Sequence, residues 1–352
     1  MSRFERIPVS AIKEGLLPLL PDLVGRLVPG AQRHGQYWQA PNPTRAEKSR
    51  TSFTVWANGA WKEYDSDEKG DVIDMIAYCL RCDRTGAIRW AKDYLGIDRL
   101  SDDERRAMAK RALEKAEKRA ADADADKERK RQSAFKLWLD APPMVPGDPA
   151  VLYLRDARGI DLFAVPNLVA GEGRFLARTR HWVGKFDAPA MVWPVRTLGA
   201  VTGVHLTFLR QTAKGWDKVD HASPRLMLGD VSGGVVYISH GPSGLPPREA
   251  AMAGYRDPLI LGEGNETGLS LALGVPEARV WATLSLGNMA KAPVNHPCVG
   301  AVFVALENDI KSAALGMRDK MLDTLTARLG AAPGQLVPPC GSDFNNTLTG
   351  KA

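Results

Sequence analysis

Apolar positions along the first hundred residues change period several times, which predicts a small module of mixed helices and strands. Between residues 12 and 28 apolar side chains recur about every 3.6 positions, and two prolines interrupt the run, so we expect two short helices. Residues 52–64 alternate in polarity on both sides of Asn58-Gly59, a dipeptide that favours a tight hairpin turn. Two amphipathic helices are expected over 71–78 and 85–95.

Residues 101–140 have a different composition, dominated by alanine and by charged residues whose opposite signs lie three and four positions apart. The segment begins with Ser101-Asp-Asp-Glu104, the pattern of a helix-capping box. We predict a long, solvent-exposed helical linker between two globular parts. A basic arm that binds nucleic acid is the alternative, which the alternation of acids and bases disfavours.

Beyond Pro142 the pattern indicates short strands with glycine turns, and beyond residue 257 strands and helices alternate. The clearest early strands are 190–196, 202–209 and 234–238. Later strands at 258–262, 280–284 and 300–306 alternate with helical stretches, an order that predicts a parallel sheet buried on both faces. The fold class is therefore expected to be α/β. The expected domains are an α+β module at 1–100, the linker helix at 101–140, a basic mixed α/β subdomain at 141–256 and a parallel-sheet domain at 257–352.

Composition excludes several classes of protein. The chain has 352 residues, 44% of them hydrophobic and 25% charged, which is typical of globular domains. It contains no run of 18 apolar residues, and its first residues lack the apolar core of a signal peptide. Four cysteines are too few for a disulfide scaffold, so we expect a cytoplasmic protein without a membrane anchor. The net charge of +6 weakly favours an anionic partner.

Acidic residues follow predicted strands in the C-terminal part of the chain. Glu263 comes directly after strand 258–262, Glu307 and Asp309 follow strand 300–306, and Asp343 follows Gly341-Ser342. Sites in parallel sheets form at the carboxyl edge of the strands, and carboxylate oxygens are the ligands that Mg²⁺ and Mn²⁺ prefer. Taken alone, each acid is better explained as a helix cap or turn residue, but their coincidence at strand ends favours a metal site.

Three segments resemble the Toprim domain, which bacterial-type primases, topoisomerases and some nucleases share. The segments are residues 259–272, 305–309 and 341–345. The resemblance implies that Glu263 is the catalytic or metal-binding glutamate and that Glu307 with Asp309 binds metal. Glu307 stands where the family usually has Asp, and Asn345 and Asn346 stand where a second acid often occurs.

The preceding region, at residues 190–210 and 218–229, resembles the basic subdomain of primase-like proteins of phages and mobile elements. The resemblance implies that four cations face template or nucleotide phosphates, where they would give a grip that is independent of sequence. These are Arg196, Arg210, Lys218 and Arg225. Ordinary solvated strand faces are the alternative.

The first module resembles the zinc ribbon that opens primases, at residues 52–64 and 69–76, but its ligand positions carry neither Cys nor His. Cys79 and Cys82 form a C-x₂-C pair inside an expected helix, without the second pair that zinc requires. We therefore expect a ribbon-like DNA-binding module without zinc. Its aromatic residues either stack on unpaired bases or form the core, and the core is favoured. They are Tyr37, Trp38, Trp56, Trp61 and Tyr64.

The order of these modules favours a DNA primase-type nucleotidyltransferase. It would make short primers on single-stranded DNA from nucleoside triphosphates with Mg²⁺ or Mn²⁺, beside a replicative helicase supplied as a separate chain. A Toprim nuclease and a catalytically weakened DNA-binding replication protein remain as alternatives. A topoisomerase is disfavoured, because the chain offers no obvious room for a DNA-gating domain with a nucleophilic tyrosine.

Overall fold

The computed structural model describes residues 7–46, 51–308, 312–340 and 342–350. The chain divides into two units, residues 1–123 and 124–352. Within the described ranges, no helix combines the length and the apolarity needed to cross a bilayer.

The first unit is an antiparallel meander of five strands that pair in chain order. Helices precede and follow the meander along the chain. The predicted hairpin is confirmed, since Phe53 pairs with Glu63 and Val55 with Trp61 around a turn in which Gly59 has a φ of 83°. Its elements are α1 (Val9–Leu16), α2 (Leu20–Leu27), β1 (Gln32–His34), β2 (Tyr37–Ala40), β3 (Phe53–Trp56), β4 (Trp61–Glu63), β5 (Lys69–Gly70), α3 (Val72–Leu80) and α4 (Arg84–Tyr94).

The core of this unit lies between the meander and its helices. Trp38 and Trp61 are buried there, and the Trp61 ring stacks on Phe53 with 5.1 Å between centroids. The favoured interpretation of these two tryptophans as core residues is confirmed, whereas Tyr64 is 54% exposed. Cys79 packs against the same core, and burial raises the pKa of its thiol to about 12, which makes it unreactive at neutral pH.

A buried carboxylate joins the loops where the resembling zinc ribbons carry their ligands. Glu63 is fully buried and accepts hydrogen bonds from the Ser66 backbone N–H and hydroxyl, both at 2.6 Å, and Arg45 lies 3.2 Å away. Burial by itself would raise the pKa of Glu63, but the Ser66 hydrogen bonds and the Arg45 charge outweigh it and lower that pKa. Among the described residues, no three His, Cys, Asp or Glu are grouped to hold a metal ion. The absence of zinc stays a prediction.

The predicted long helix is confirmed as α5 (Asp102–Asp140), and the boundary between the two units lies within it. The capping box is present, because the Ser101 N–H donates to the Glu104 carboxylate and the Glu104 N–H donates to Ser101 Oγ.

The second unit begins with an antiparallel sheet in the order β10-β8-β7-β6, with β9 paired to β8. The strands predicted at 190–196 and 202–209 lie within β7 and β8, which pair from Ala190–Phe208 to Thr197–Ala200. One face of the sheet packs on α5 through Ala134. The elements are α6 (Pro149–Leu152), a π-helical turn (Tyr153–Ala157), a 3₁₀ turn (Leu162–Ala164), β6 (Arg174–His181), β7 (Phe186–Thr197), β8 (Ala200–Thr212), β9 (Gly215–Lys218) and β10 (Arg225–Gly229).

A second sheet, in the order β11-β13-β12-β14-β15, confirms the α/β class. Strands β13, β12, β14 and β15 are parallel, and β11 joins them as an antiparallel edge strand. Alternate residues of β12 enter two different cores, Ile260 on one face and Leu259 and Leu261 on the other, which explains its continuous apolar sequence. The elements are β11 (Val236–Ser239), α7 (Pro247–Met252), β12 (Asp257–Gly262), α8 (Asn265–Gly274), β13 (Arg279–Ala282), α9 (Leu286–Met289), β14 (Val299–Ala305), α10 (Ser312–Leu329), β15 (Gly334–Leu336) and α11 (Phe344–Thr349).

We predict that Glu63→Gln lowers the free energy of unfolding of the first unit by about 1–3 kcal/mol at pH 7, because a neutral amide weakens the charge-assisted hydrogen bonds from Ser66 and removes the negative charge that faces Arg45. The folded-state pKa of Glu63 is depressed, so its contribution is present above the unfolded pKa of about 4.3 and is lost as pH falls through the folded value. Urea unfolding monitored by tryptophan fluorescence at pH 7 and pH 3 measures both effects.

The matched control is Glu117→Gln, which changes an exposed acid of α5. It should unfold like the wild type at both pH values. Equal stability of Glu63→Gln and wild type at pH 7, or a difference that grows towards pH 3, would contradict the prediction.

Candidate active site

A cavity of about 250 Å³ lies at the carboxyl edge of the parallel strands. It combines acids from the parallel-sheet region with bases from the antiparallel region, so opposite charges from the two sheets face a common space. The acids are Glu263, Glu266, Glu307 and Asp343, the bases are Arg158, Lys218 and Arg225, and His205, Gly264, Thr267, Leu284 and Asn345 complete the lining.

The structure brings three of the four acids expected from the sequence to this cavity. Glu263 follows β12 directly, Glu307 follows β14 by two residues, and Asp343 precedes α11. Asp309 lies outside the described residues.

Hydrogen bonds between neighbouring strand ends hold the backbone that carries Glu263. The Gly262 carbonyl accepts from the Thr283 N–H at 2.9 Å and from its hydroxyl at 3.0 Å, and the Glu263 carbonyl accepts from the Leu284 N–H at 2.7 Å. The Glu263 carboxyl is partly buried, and burial raises its pKa, while the charge of Arg225 acts in the opposite direction. Glu263 is therefore a better proton acceptor than an ordinary surface glutamate.

Asp343 combines two roles, because it lines the cavity and also caps α11 by accepting from the Asn346 N–H at 2.7 Å. Asn345, two residues further on, stands where the Toprim family often has a second acid, and its contacts explain this departure. Asn345 is buried and donates from Nδ2 to the Arg158 carbonyl at 2.6 Å and to Ser270 Oγ at 3.1 Å. A carboxylate at this position could not donate either hydrogen bond.

The four cations expected to face phosphates separate into two groups. Lys218 and Arg225 line the cavity, whereas Arg196 and Arg210 do not. Arg196 makes a bidentate ion pair with the buried Glu172, at 2.8 and 2.5 Å, and a third hydrogen bond to the Gly199 carbonyl. Arg210 is exposed on β8 and donates to the Lys218 carbonyl at 3.3 Å. The geometry of Arg196 is that of a structural ion pair.

Sequence reasoning missed Arg158, Tyr153, Glu266 and His205. Tyr153 begins the π-helical turn and Arg158 follows it, and in such a turn residues five apart are neighbours. Arg158 Nε donates to the Tyr153 hydroxyl at 2.8 Å. No sequence pattern indicates such a turn. Glu266 lies inside the Toprim-like segment, so its acidic character was visible, but its position at the start of a helix suggested only helix formation. His205 lies within an apolar strand that indicates core.

Two buried groups near the bases have strongly shifted pKa values. Glu266 pairs with Lys218 Nζ at 2.7 Å, and although burial would raise its pKa, the charges of Lys218 and Arg225 hold it far below its usual range. Burial lowers the pKa of Lys218, and Glu266 opposes that shift. Burial lowers the pKa of His205 to about 4, so its imidazole is neutral at pH 7, with Nδ1 3.2 Å from the Asn265 amide nitrogen.

The donor set fits a hard divalent cation that keeps part of its water shell. Glu263, Glu307 and Asp343 offer carboxylate oxygens to one cavity, as Mg²⁺ or Mn²⁺ requires. Across the described part of the chain, however, no three such groups are close enough to make a complete metal site by themselves. The remaining ligands would therefore be water and substrate phosphate oxygens, which is the usual mode of Mg²⁺ in phosphoryl-transfer sites.

Residues 258–352 match the family model of the Toprim domain, and residues 128–238 match one described as a domain of unknown function (DUF7146). The Toprim resemblance is thus confirmed. No curated protein matches the chain.

Three solved structures of primases are similar at low TM-score. The Aquifex aeolicus primase, with its zinc-binding and RNA polymerase domains, is 15% identical over 97% of this chain and 82% of that one, with a TM-score of 0.32. The primase fragment of the bacteriophage T7 primase-helicase is 10% identical over 90% and 96%, with a TM-score of 0.32. A Pseudomonas aeruginosa DNA primase domain is 12% identical over 50% and 52%, with a TM-score of 0.31.

We predict that Arg225→Gln raises the pKa of Glu263 further, because the cation that opposes the effect of burial is removed. The measurement is a ¹³C-NMR titration of glutamate-labelled protein without metal, with Glu263→Gln used for assignment. Arg210→Gln serves as the control, since it removes an exposed cation that does not line the cavity. A Glu263 pKa that is unchanged or lower in Arg225→Gln would refute the prediction.

Proposed function

We propose, on the premise that residues 258–352 form a Toprim domain, that the protein is a DNA primase-type nucleotidyltransferase. It would synthesise short primers on single-stranded DNA by Mg²⁺-dependent phosphoryl transfer. One observation carries the proposal: three of the four acids expected from the sequence and three basic side chains of the preceding domain line the same cavity. Phosphoryl transfer needs both, because cations hold the phosphates and carboxylates hold the metal.

The basic side chains suit the triphosphate of the incoming nucleotide. Lys218, Arg225 and Arg158 present an ammonium and two guanidinium groups to a space that is partly shielded from water, where charge interactions are stronger than in bulk solvent. The N-terminus of α8, beginning at Asn265, opens onto the same cavity through Gly264 and adds the favourable end of its dipole.

The carboxylates suit the metal and the attacking hydroxyl. Glu307, Asp309 and Asp343 would hold Mg²⁺ or Mn²⁺, which neutralises negative charge on the phosphates. In the reaction the primer 3′-oxygen bonds to the α-phosphorus, pyrophosphate leaves, and the hydroxyl proton must go to a base. Glu263, with its raised pKa, is suited to accept that proton or to share in holding the metal.

The rest of the chain would serve template and partners. We assign the module at 1–100 to DNA binding, 101–140 to the linker, 141–256 to the nucleotide-binding subdomain and 257–352 to catalysis. A separate replicative helicase is the expected partner, in the cytoplasm.

Primer synthesis is the decisive measurement. Purified protein is incubated with single-stranded DNA, labelled ribo- or deoxynucleoside triphosphates, and Mg²⁺ or Mn²⁺. Because a metal-held charge contributes several kcal/mol, we expect Glu263→Gln and Asp309→Asn each to reduce product about 100-fold or more. Glu277→Gln, an exposed acid of the same domain outside the cavity, should remain fully active.

Two other outcomes would reject the proposal in favour of the alternatives. Template binding without any product, measured by fluorescence anisotropy of labelled DNA, would indicate a DNA-binding replication protein. Metal-dependent shortening of the template would indicate a nuclease.

A further inference from the structure

Glu266 differs from the other acids of the cavity in its contacts. Its Oε1 accepts from Lys218 Nζ at 2.7 Å and from the Tyr153 hydroxyl at 3.0 Å, and the Glu266 side chain is only 9% exposed. Two donors therefore already occupy one carboxylate oxygen. A divalent cation bound at that oxygen would lie close to the Lys218 ammonium and would be repelled by it.

The same carboxylate connects side chains from three separate elements. Lys218 ends β9, Tyr153 begins the π-helical turn, and Glu266 lies in the first turn of α8. The Tyr153 hydroxyl passes the connection on to Arg158, whose Nε donates to it at 2.8 Å. Both cations also lie over the Tyr153 ring, with Arg158 Cζ 5.4 Å and Lys218 Nζ 5.9 Å from its centroid.

Without this carboxylate the two cations would lose their common anchor. Lys218 is itself largely buried, and burial lowers its pKa while Glu266 opposes that shift. Removing one partner of a buried ion pair leaves the other charge uncompensated, so the lysine would move or lose its proton. Glu263, by contrast, forms no ion pair with Lys218 in the described structure.

We propose that Glu266 is a positioning residue that holds Lys218, and through Tyr153 also Arg158, as phosphate-binding cations, and that it is not a metal ligand. The two acids of the segment Glu263-Gly-Asn-Glu266 then have different roles. Glu263 binds metal or accepts a proton, and Glu266 positions the cations. The inference rests on the proposed function for the identity of the anion, a triphosphate.

The test uses the sign of an affinity change. Binding of inorganic tripolyphosphate to the full chain is measured by calorimetry at pH 7.5 with EDTA, so no metal takes part. Net charge alone predicts that Glu266→Gln binds this anion more tightly, because a negative charge is removed. Positioning predicts the opposite, and we expect binding about 10-fold weaker or more, as is typical when one partner of a buried, hydrogen-bonded charge pair is removed.

Control variants separate this role from others. Glu277→Gln removes the charge of an exposed acid that does not line the cavity and should bind tripolyphosphate as tightly as the wild type. Lys218→Met should weaken binding, and adding Glu266→Gln to it should cost less than Glu266→Gln costs in the wild type, because only the connection through Tyr153 to Arg158 is then left to lose. Glu266→Asp, which keeps the charge, should restore part of the affinity lost in Glu266→Gln.

Tyr153→Phe keeps the inference testable if Glu266→Gln does not fold, which circular dichroism will show. It removes only the hydroxyl between Glu266 and Arg158, and we expect about threefold weaker binding or more. Tripolyphosphate binding that is equal or tighter in Glu266→Gln, additive effects with Lys218→Met, wild-type affinity in Tyr153→Phe, or no binding by the wild type would each overturn the inference. Failure of primer synthesis with the expected binding pattern intact would instead reject only the proposed function.

Discussion

Charge compensation between the two sheets of the second unit is the constraint on which the candidate site depends. Glu266 on α8 is buried, and a buried carboxylate is tolerated only when cations and hydrogen-bond donors surround it. Lys218 and Tyr153 supply these from the antiparallel region. The contact therefore fixes where β9 and the π-helical turn stand relative to α8. The cavity forms beside this junction, so its charge pattern is a consequence of how the two regions pack.

The parallel sheet and its acids could be predicted because both depend on patterns of neighbouring residues in the sequence. Strands buried on both faces are continuous apolar runs, and residues that end such strands necessarily share one edge, which is why Glu263 and Glu307 line one cavity. Partners that are distant in sequence leave no such pattern. Arg196 looked like a phosphate contact because nothing local shows that Glu172, 24 positions away, already pairs with it. Arg158 could not be predicted as a cavity residue, because its position depends on a π-helical turn that no sequence periodicity indicates.

In the first unit, too, the local elements could be predicted from the sequence but a contact between distant residues could not. Its hairpin followed from alternating polarity and its helices from apolar periodicity, and the lack of Cys and His at the ribbon's ligand positions was visible in the sequence. The contact that connects the loops at these positions was not visible in the sequence. Glu63 is a single acid at the end of a strand, a pattern typical of a solvent-exposed residue. Its burial, with Ser66 and Arg45 around it, is a tertiary outcome. This hydrogen-bonded carboxylate connects the strand end at Glu63 to Ser66 and Arg45.

Departures from the Toprim pattern need not mean a weakened site, and Asn345 shows why. An acid at this position would add charge beside Asp343, but it could not donate to the Arg158 carbonyl and to Ser270 as the amide does. Asn345 thereby ties α11 to the backbone of Arg158 and to α8. The chain thus keeps acids at the ends of β12 and β14, and its third motif contributes Asp343 to the cavity and, through Asn345, a hydrogen bond to the backbone of Arg158. Arg158 is one of the three basic residues that line this cavity beside its acids.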